Sequence, residues 1–238
     1  MKLKDKTILI TGTNRGIGRA LVEQALEYGA KKVYATARII EKLKHFNAKN
    51  VEKVELDINS IESIERLALK IKDVEILINN AGVLTFGSPL KAKIEDIEKD
   101  FQTNFFGTLN MIRAFAPSIS QKPEGAIANV LSIVSLASME GIAGYSASKA
   151  ALWSLTQSLR AELNSTGTKV FAIFPGPIDT DMSKEFSLEK TSANEAAKNI
   201  FAGIENDIED IFPDNMSKTN GHIWLKNPKE LEYLFSGV

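Results

Sequence analysis

Short apolar runs alternate with longer amphipathic stretches along most of the chain, a pattern that predicts strands and helices in succession. Thr7–Thr11 reads as a first strand, and Gly16–Tyr28 follows as a helix with Ile17, Ala20, Leu21 and Leu26 at helical spacing. Lys32–Ala37 (KVYATA), Val51–Leu56, Ile76–Ile78 and Ile127–Leu131 read as further strands, with a helix beginning near Ser60. Tyr145–Leu163 contains neither proline nor glycine and predicts a long helix. Helical periodicity returns over Ala193–Ile204; Gly221–Leu225 is expected to add an edge strand and Pro228–Phe235 a short helix. No internal repeat, low-complexity segment or linker divides the chain, so residues 1–238 are expected to form a single domain.

Composition narrows the class. The 238 residues are 44% hydrophobic and 25% charged with a formal net charge of −1, which fits a globular protein with one sizeable core. Balanced charge without long runs of one sign offers no attraction to nucleic acid or a membrane surface, and favours small-molecule partners. The longest largely apolar run, Ala126–Val134, is far short of the ~20 residues that a spanning helix needs. TILI is too short for a signal-peptide core. The absence of cysteine excludes disulfide and thiol chemistry, and the cytoplasm is the expected compartment. His45 and His222 are the only histidines and lie apart from any carboxylate cluster, which argues against a metal site or a Ser-His-Asp relay. Acid–base chemistry then falls to Tyr, Lys, Asp or Glu.

Between the first strand and the first helix lies TGTNRGIG. Gly12, Gly16 and Gly18 let the backbone turn sharply and approach an anion, and the helix opening there presents free N–H groups to a pyrophosphate. Asn14, Arg15 and Ile17 share that turn. The next strand ends in Ala37 and Arg38, where a carboxylate would select a ribose 2′-hydroxyl and an arginine instead suits a 2′-phosphate. NADP(H) is therefore the expected cofactor, with Arg15 as a second positive charge; the alternative is two solvated surface arginines. Asp57, ending the third strand, could reach an adenine amino group or cap the following helix. Asn79–Gly82 (NNAG) suits both turn stabilisation and cofactor contact, through Asn80, Ala81 and Gly82.

The candidate for chemistry is Gly144–Lys149, GYSASK. Tyr145 and Lys149 stand one turn apart on the predicted long helix, so a phenol and an ammonium share a face. Tyrosine ordinarily titrates near pH ~10, and a fixed cation favours the phenolate; Lys149 is therefore expected to lower the Tyr145 pKa. The spacing alone also fits a chance pair on a helix surface.

TGTNRGIG, NNAG and YSASK, in this order, resemble the motifs of the short-chain dehydrogenase/reductase family of nicotinamide-dependent oxidoreductases, over about Thr7 to Met182. The resemblance implies a Rossmann-type doubly wound parallel sheet of about seven strands in three layers, with the active site at its C-terminal edge. It also implies carbonyl–alcohol interconversion. The family's catalytic tyrosine and lysine fall on Tyr145 and Lys149, which also contact the cofactor, and its serine falls on Ser132, with Ser135 and Ser138 as nearby alternatives. Its helix asparagine falls on Asn104, where it would maintain a proton path to the lysine. The family's proline–glycine segment matches Pro175–Thr180, where Pro175, the Ile178 backbone and Thr180 would contact the nicotinamide end.

Beyond Thr180 the likeness thins. Residues 181–192 sit where the family places a mobile substrate lid, a fixed surface loop being the alternative; residues 206–238 diverge. The missing Asp-Gly-Gly turn puts the family's tetramer contact in doubt and favours a homodimer through Phe105, Phe106, Leu152, Trp153 and Leu155, unless that stripe is simply core. Leu84, Met139, Ile142, Pro177 and Met182 would suit a small apolar carbonyl compound or alcohol. The competing functional class is a catalytically silent NADP(H)-binding sensor or scaffold. A sugar-nucleotide epimerase is disfavoured because such enzymes carry a sizeable additional C-terminal substrate domain.

Overall fold

Strands as apolar as TILI and ILIN cannot leave a face in water, so each must lie inside a sheet covered on both sides. The computed structural model, which describes residues 1–237, has that arrangement. Its strands are β1 (Thr7–Ile10), β2 (Lys32–Ala37), β3 (Val51–Glu55), β4 (Ile76–Asn79), β5 (Ala126–Val130), β6 (Lys169–Ile173), β7 (Ile178–Asp179), β8 (Thr191–Ser192) and β9 (Asp210–Ile211). The helices are α1 (Gly16–Glu27), α2 (Ile61–Lys70), α3 (Ile94–Phe101), α4 (Thr108–Ile119), α5 (Ala143–Leu163), α6 (Ala193–Glu205), α7 (Asn215–Lys226) and α8 (Pro228–Ser236). A seven-stranded sheet runs in the order β3-β2-β1-β4-β5-β6-β9 with every pairing parallel, while β7 and β8 pair separately. This is the expected Rossmann-type doubly wound sheet.

Alternation along each strand sends residues to opposite helix layers. Ile8, Ile10, Ile76 and Ile78 pack with Leu21 and Ala25 of α1 and Ile200 and Phe201 of α6. Leu9, Leu77 and Ile127 pack with Ile64 of α2, Phe115 of α4 and Leu159 of α5. Phe115, Phe171 and Phe201 are wholly buried, each contributing about 1.5–3 kcal/mol by leaving water. The strand order reverses between β1 and β4, which opens a crevice at the carboxyl ends of the strands.

Two expectations need correction. Gly221–Leu225 is not an edge strand but the second half of α7. Asp214 caps that helix by accepting the Ser217 N–H at 2.8 Å, and Gly221 lies against the Phe212 ring, where a Cβ would come within 2.5 Å of Cε1. The seventh strand is instead β9, a two-residue pairing of Asp210 and Ile211 beside Ala172 and Ile173 that is too short to leave a periodic signal. Leu152 and Trp153 are buried in the protein's own core, Trp153 edge-on to Phe174 at 5.0 Å, so they supply no dimer surface. Phe106 alone of that stripe is exposed; Phe105 and Leu155 are half-buried.

Candidate active site

The turn after β1 is held from two sides. Thr11 Oγ1 accepts the Asn80 and Ala81 N–H groups at 3.0 and 2.9 Å, and Asn80 Nδ2 donates to the carbonyls of Thr11 and Gly12 at 2.9 and 3.1 Å. That closeness is why the turn needs glycine: a Cβ on Gly18 would sit 2.2 Å from the Gly12 oxygen, and one on Gly12 would sit 2.9 Å from Ala81 Cα. Arg15 occupies the N-cap of α1 without any side-chain cap, so the first-turn amides stay available to an anion.

Gly12, Asn14, Arg15, Gly16, Ile17 and Gly18 line a cavity of about 640 Å³. Ala37, Arg38 and Asp57 line it from the second and third strands, and Asn80, Ala81 and Gly82 from the fourth. Ser132, Tyr145 and Lys149 line the same cavity, as do Pro175, Ile178 and Thr180. Arg38 is exposed and in no ion pair among the described residues; Arg15 is already engaged, Nη1 lying 2.8 Å from Asp181 Oδ2. Asp57 does not cap α2: Ser60 does, accepting the Ser63 N–H at 3.2 Å, while Asp57 Oδ1 accepts the Asn59 N–H at 3.0 Å.

Asn104 does not line the cavity; it works from behind. It lies in a π-helical stretch, Gln102–Gly107, that joins α3 to α4. Asn104 Oδ1 accepts the Val83 N–H at 2.9 Å, and Nδ2 donates to the Val83 carbonyl and to Ser148 Oγ, both at 2.9 Å. One amide thus ties the segment after β4 to the α5 helix that carries Tyr145 and Lys149. That helix is also fixed at mid-length, where Asn129 Nδ2 donates to Thr156 Oγ1 at 3.0 Å. A Cβ on Gly82 would lie 3.1 Å from Asn104 Oδ1 and 3.5 Å from Lys149 Nζ, so a side chain there would press on the Asn104 amide.

Ser132 is the serine presented to the cavity. Ser135 Oγ is turned back to accept the Ser132 N–H at 3.1 Å, and Ser138 is exposed outside the cavity wall. Lys149 Nζ donates to the Val130 carbonyl at 2.7 Å and stands 5.9 Å from the centre of the Tyr145 ring.

The expected lowering of the Tyr145 pKa is not found. Burial pushes the phenol up to about 12, the neighbouring Ser132 side chain offsets part of that, and the Asp100 charge adds to the rise. The phenolate loses its hydration while the ammonium is drawn toward the Val130 carbonyl. Lys149 is depressed to about 8, again by burial, with the Asp100 carboxylate opposing.

Leu84, Met139, Ile142, Pro177 and Met182 all line the cavity, together with Phe186 and Leu188 of the 181–192 segment and Met216 of α7. The Phe86 and Phe186 rings meet at 5.6 Å across its edge. Met216 was not legible from the chain, because the α7 segment folds back over the site from the divergent end, whereas Phe186 and Leu188 belong to the 181–192 segment expected near the substrate. Among the described residues no cluster of metal-ligating side chains exists, and no helix is long and apolar enough to cross a membrane.

Comparison with known proteins points the same way. The family model described as short chain dehydrogenase matches residues 6–191. The chain belongs to the short-chain dehydrogenase/reductase family. The 3-oxoacyl-(acyl-carrier-protein) reductase FabG of Vibrio cholerae is 33% identical over 199 residues, covering 81% of this chain and 82% of that relative. A short chain dehydrogenase from Burkholderia cenocepacia, crystallised in complex with NADP, is 36% identical over 99% of both chains with a TM-score of 0.94. A short-chain dehydrogenase from Sphingobium yanoikuyae in complex with NADPH is 26% identical, with a TM-score of 0.83 over 95% of this chain and 94% of that one. As a member of this oxidoreductase family, the protein keeps the likeness over its divergent end as well, since the Burkholderia structure is matched across almost its full length.

Proposed function

We propose that this short-chain dehydrogenase/reductase is an NADP(H)-dependent oxidoreductase that interconverts a carbonyl and an alcohol on a small apolar substrate. The observation that carries this reading is one continuous cavity with the uncapped α1 turn and Arg38 at one part of its wall and Ser132, Tyr145 and Lys149 at another. The residues present fit a dinucleotide: the crowded glycines leave backbone N–H groups for a pyrophosphate, Arg38, in no ion pair among the described residues, suits a 2′-phosphate, and Asp57 an adenine amino group. Asn14, Arg15, Ile17, Asn80, Ala81 and Gly82 would line its length, and Pro175, Ile178 and Thr180 its nicotinamide end. The NADP complex of the Burkholderia relative supports the choice of cofactor. When bound, that group supplies the hydride.

The chain's own residues supply the rest. Tyr145, held protonated by burial, donates the proton to a carbonyl oxygen as it gains charge. Ser132 hydrogen-bonds the same oxygen. Lys149, anchored on Val130, supplies positive charge beside the phenol, and Asn104 holds Lys149's surroundings rigid through Val83 and Ser148. A phenol raised to about 12 stays protonated near neutrality, the state that a proton donor to a carbonyl oxygen needs. The apolar wall of Leu84, Ile142, Met182 and Phe186 offers an uncharged substrate burial without a counter-charge.

The test is Tyr145→Phe assayed for NADPH oxidation with a panel of aldehydes, ketones and quinones. Turnover should fall by at least ~10²-fold with NADPH affinity nearly unchanged, as expected for loss of a general acid. Near-normal turnover would sink the mechanism. Tight NADPH binding by the parent protein without reduction of any panel member would favour a sensor or scaffold.

A further inference from the structure

The turn between β6 and β7 reads Pro175-Gly176-Pro177. Proline has no N–H, so Gly176 carries the only backbone donor of these three residues. It is spent on Asp214, whose Oδ2 accepts it at 2.7 Å. The other end of the same peptide unit, the Pro175 carbonyl, accepts the Ile133 N–H at 2.9 Å and the Ser132 hydroxyl at 3.4 Å. One rigid, planar group is thus gripped by a carboxylate on its N–H side and by the serine loop on its oxygen side.

Asp214 is itself placed with care. It is 3% exposed and in no ion pair among the described residues. Its second oxygen accepts the Ser217 N–H at 2.8 Å, and Ser217 Oγ accepts the Asp214 N–H at 3.2 Å, so the carboxylate rests on the positive end of α7. Gly176 leaves no room for a substitute: a Cβ there would lie 2.7 Å from Asp214 Oδ1. Hydrogen bonds in series polarise one another, and a carboxylate drawing on the N–H makes the carbonyl at the far side a better acceptor. The Ser132 hydroxyl is thereby aimed, while its long 3.4 Å bond leaves it able to turn to a stronger acceptor.

We propose that Asp214 is a positioning residue, which fixes the Pro175–Gly176 peptide and through it the orientation of Ser132, so that the divergent C-terminal helices set the geometry of the reaction. The catalytic half of this inference rests on the reductase reading above; the structural half does not.

The experiment separates helix capping from peptide fixing. Asp214→Ser keeps a side chain that can cap α7 but cannot also reach Gly176, whereas Ser217→Ala removes the reciprocal half of the cap and leaves the Gly176 bond. Hydrogen exchange on the purified protein should show the Gly176 and Ile133 amides exchanging about 10-fold faster in D214S, with the α5 amides unchanged. In steady-state reduction, D214S should lower kcat by about 10-fold with the Kd for NADPH little changed, and S217A should stay within about 2-fold. In a Ser132→Ala background the same D214S change should cost less than about 2-fold, because the two residues act on one bond. An equal loss in both backgrounds, or an Ile133 amide that stays protected when Gly176 opens, overturns the proposal. Should D214S not fold, Asp214→Asn, with one acceptor oxygen left, takes its place and must show the same dependence on Ser132. A parent protein that reduces no carbonyl would refute the reductase reading, while the exchange result would still decide the linkage.

Discussion

Replacing Arg38 by glutamine tests the cofactor assignment most directly. Arg38 is exposed, lines the cavity directly after β2 and has no acidic partner among the described residues, so its charge is uncommitted. The other cation of the turn, Arg15, is shared with Asp181, which also meets Lys184 at 3.2 Å, and can offer a phosphate only what that pair releases. Hydrogen bonds from a charged donor contribute about 1.5–3 kcal/mol net, and at 1.4 kcal/mol per tenfold that is about 10- to 150-fold in Kd. R38Q should therefore weaken NADPH by about that factor and leave NADH within about 2-fold. Fluorescence titration of both nucleotides, at low salt and at about 0.5 M salt, reads it; the NADPH advantage of the parent should shrink as the Debye length falls. Equal weakening of both nucleotides, or a parent that binds NADH as tightly as NADPH, would refute the assignment.

Two further outcomes follow from the geometry. Because burial depresses Lys149 to about 8, its positive charge is present below that pH and lost as pH rises through it; kcat/KM for NADPH, which reports the free enzyme, should be flat near neutrality and fall above about pH 8, with no second break from the Tyr145 phenol. A profile that rises above pH 8 would contradict the assigned role of the ammonium. Gly18→Ala places a methyl 2.2 Å from the Gly12 oxygen, so the turn must shift; overpacking of this kind costs about 1–3 kcal/mol, and calorimetry should record a Tm lower by several degrees together with weakened NADPH binding. An unchanged Tm would show that the turn is looser than these contacts imply.

Much of this protein is local, and local features are legible in the chain. Burial of both faces wrote β1 and β4 as unbroken apolar runs, the glycines marked the turn before α1, and one helical turn between Tyr145 and Lys149 put both on a shared face. What fails from sequence alone are features that depend on a partner distant along the chain. Whether Tyr145 is acidic or basic is decided by the desolvation around it and by the carbonyl of Val130 that claims Lys149, neither of which spacing reveals. Whether Leu152 and Trp153 face a second subunit or the core depends on Phe174, which packs against Trp153. Gly221–Leu225 has strand-like residues, yet it is helical because Asp214 caps the segment and Phe212 claims the space beside Gly221. The chain by itself determined the strands from β1 to β5, the helices α1 and α5 and the candidate reactive groups, since these follow from neighbours along the backbone. Only the tertiary structure decided the protonation states, the substrate wall and the hold of Asp214 on Gly176, because burial and hydrogen bonding are set by atoms that folding brings together.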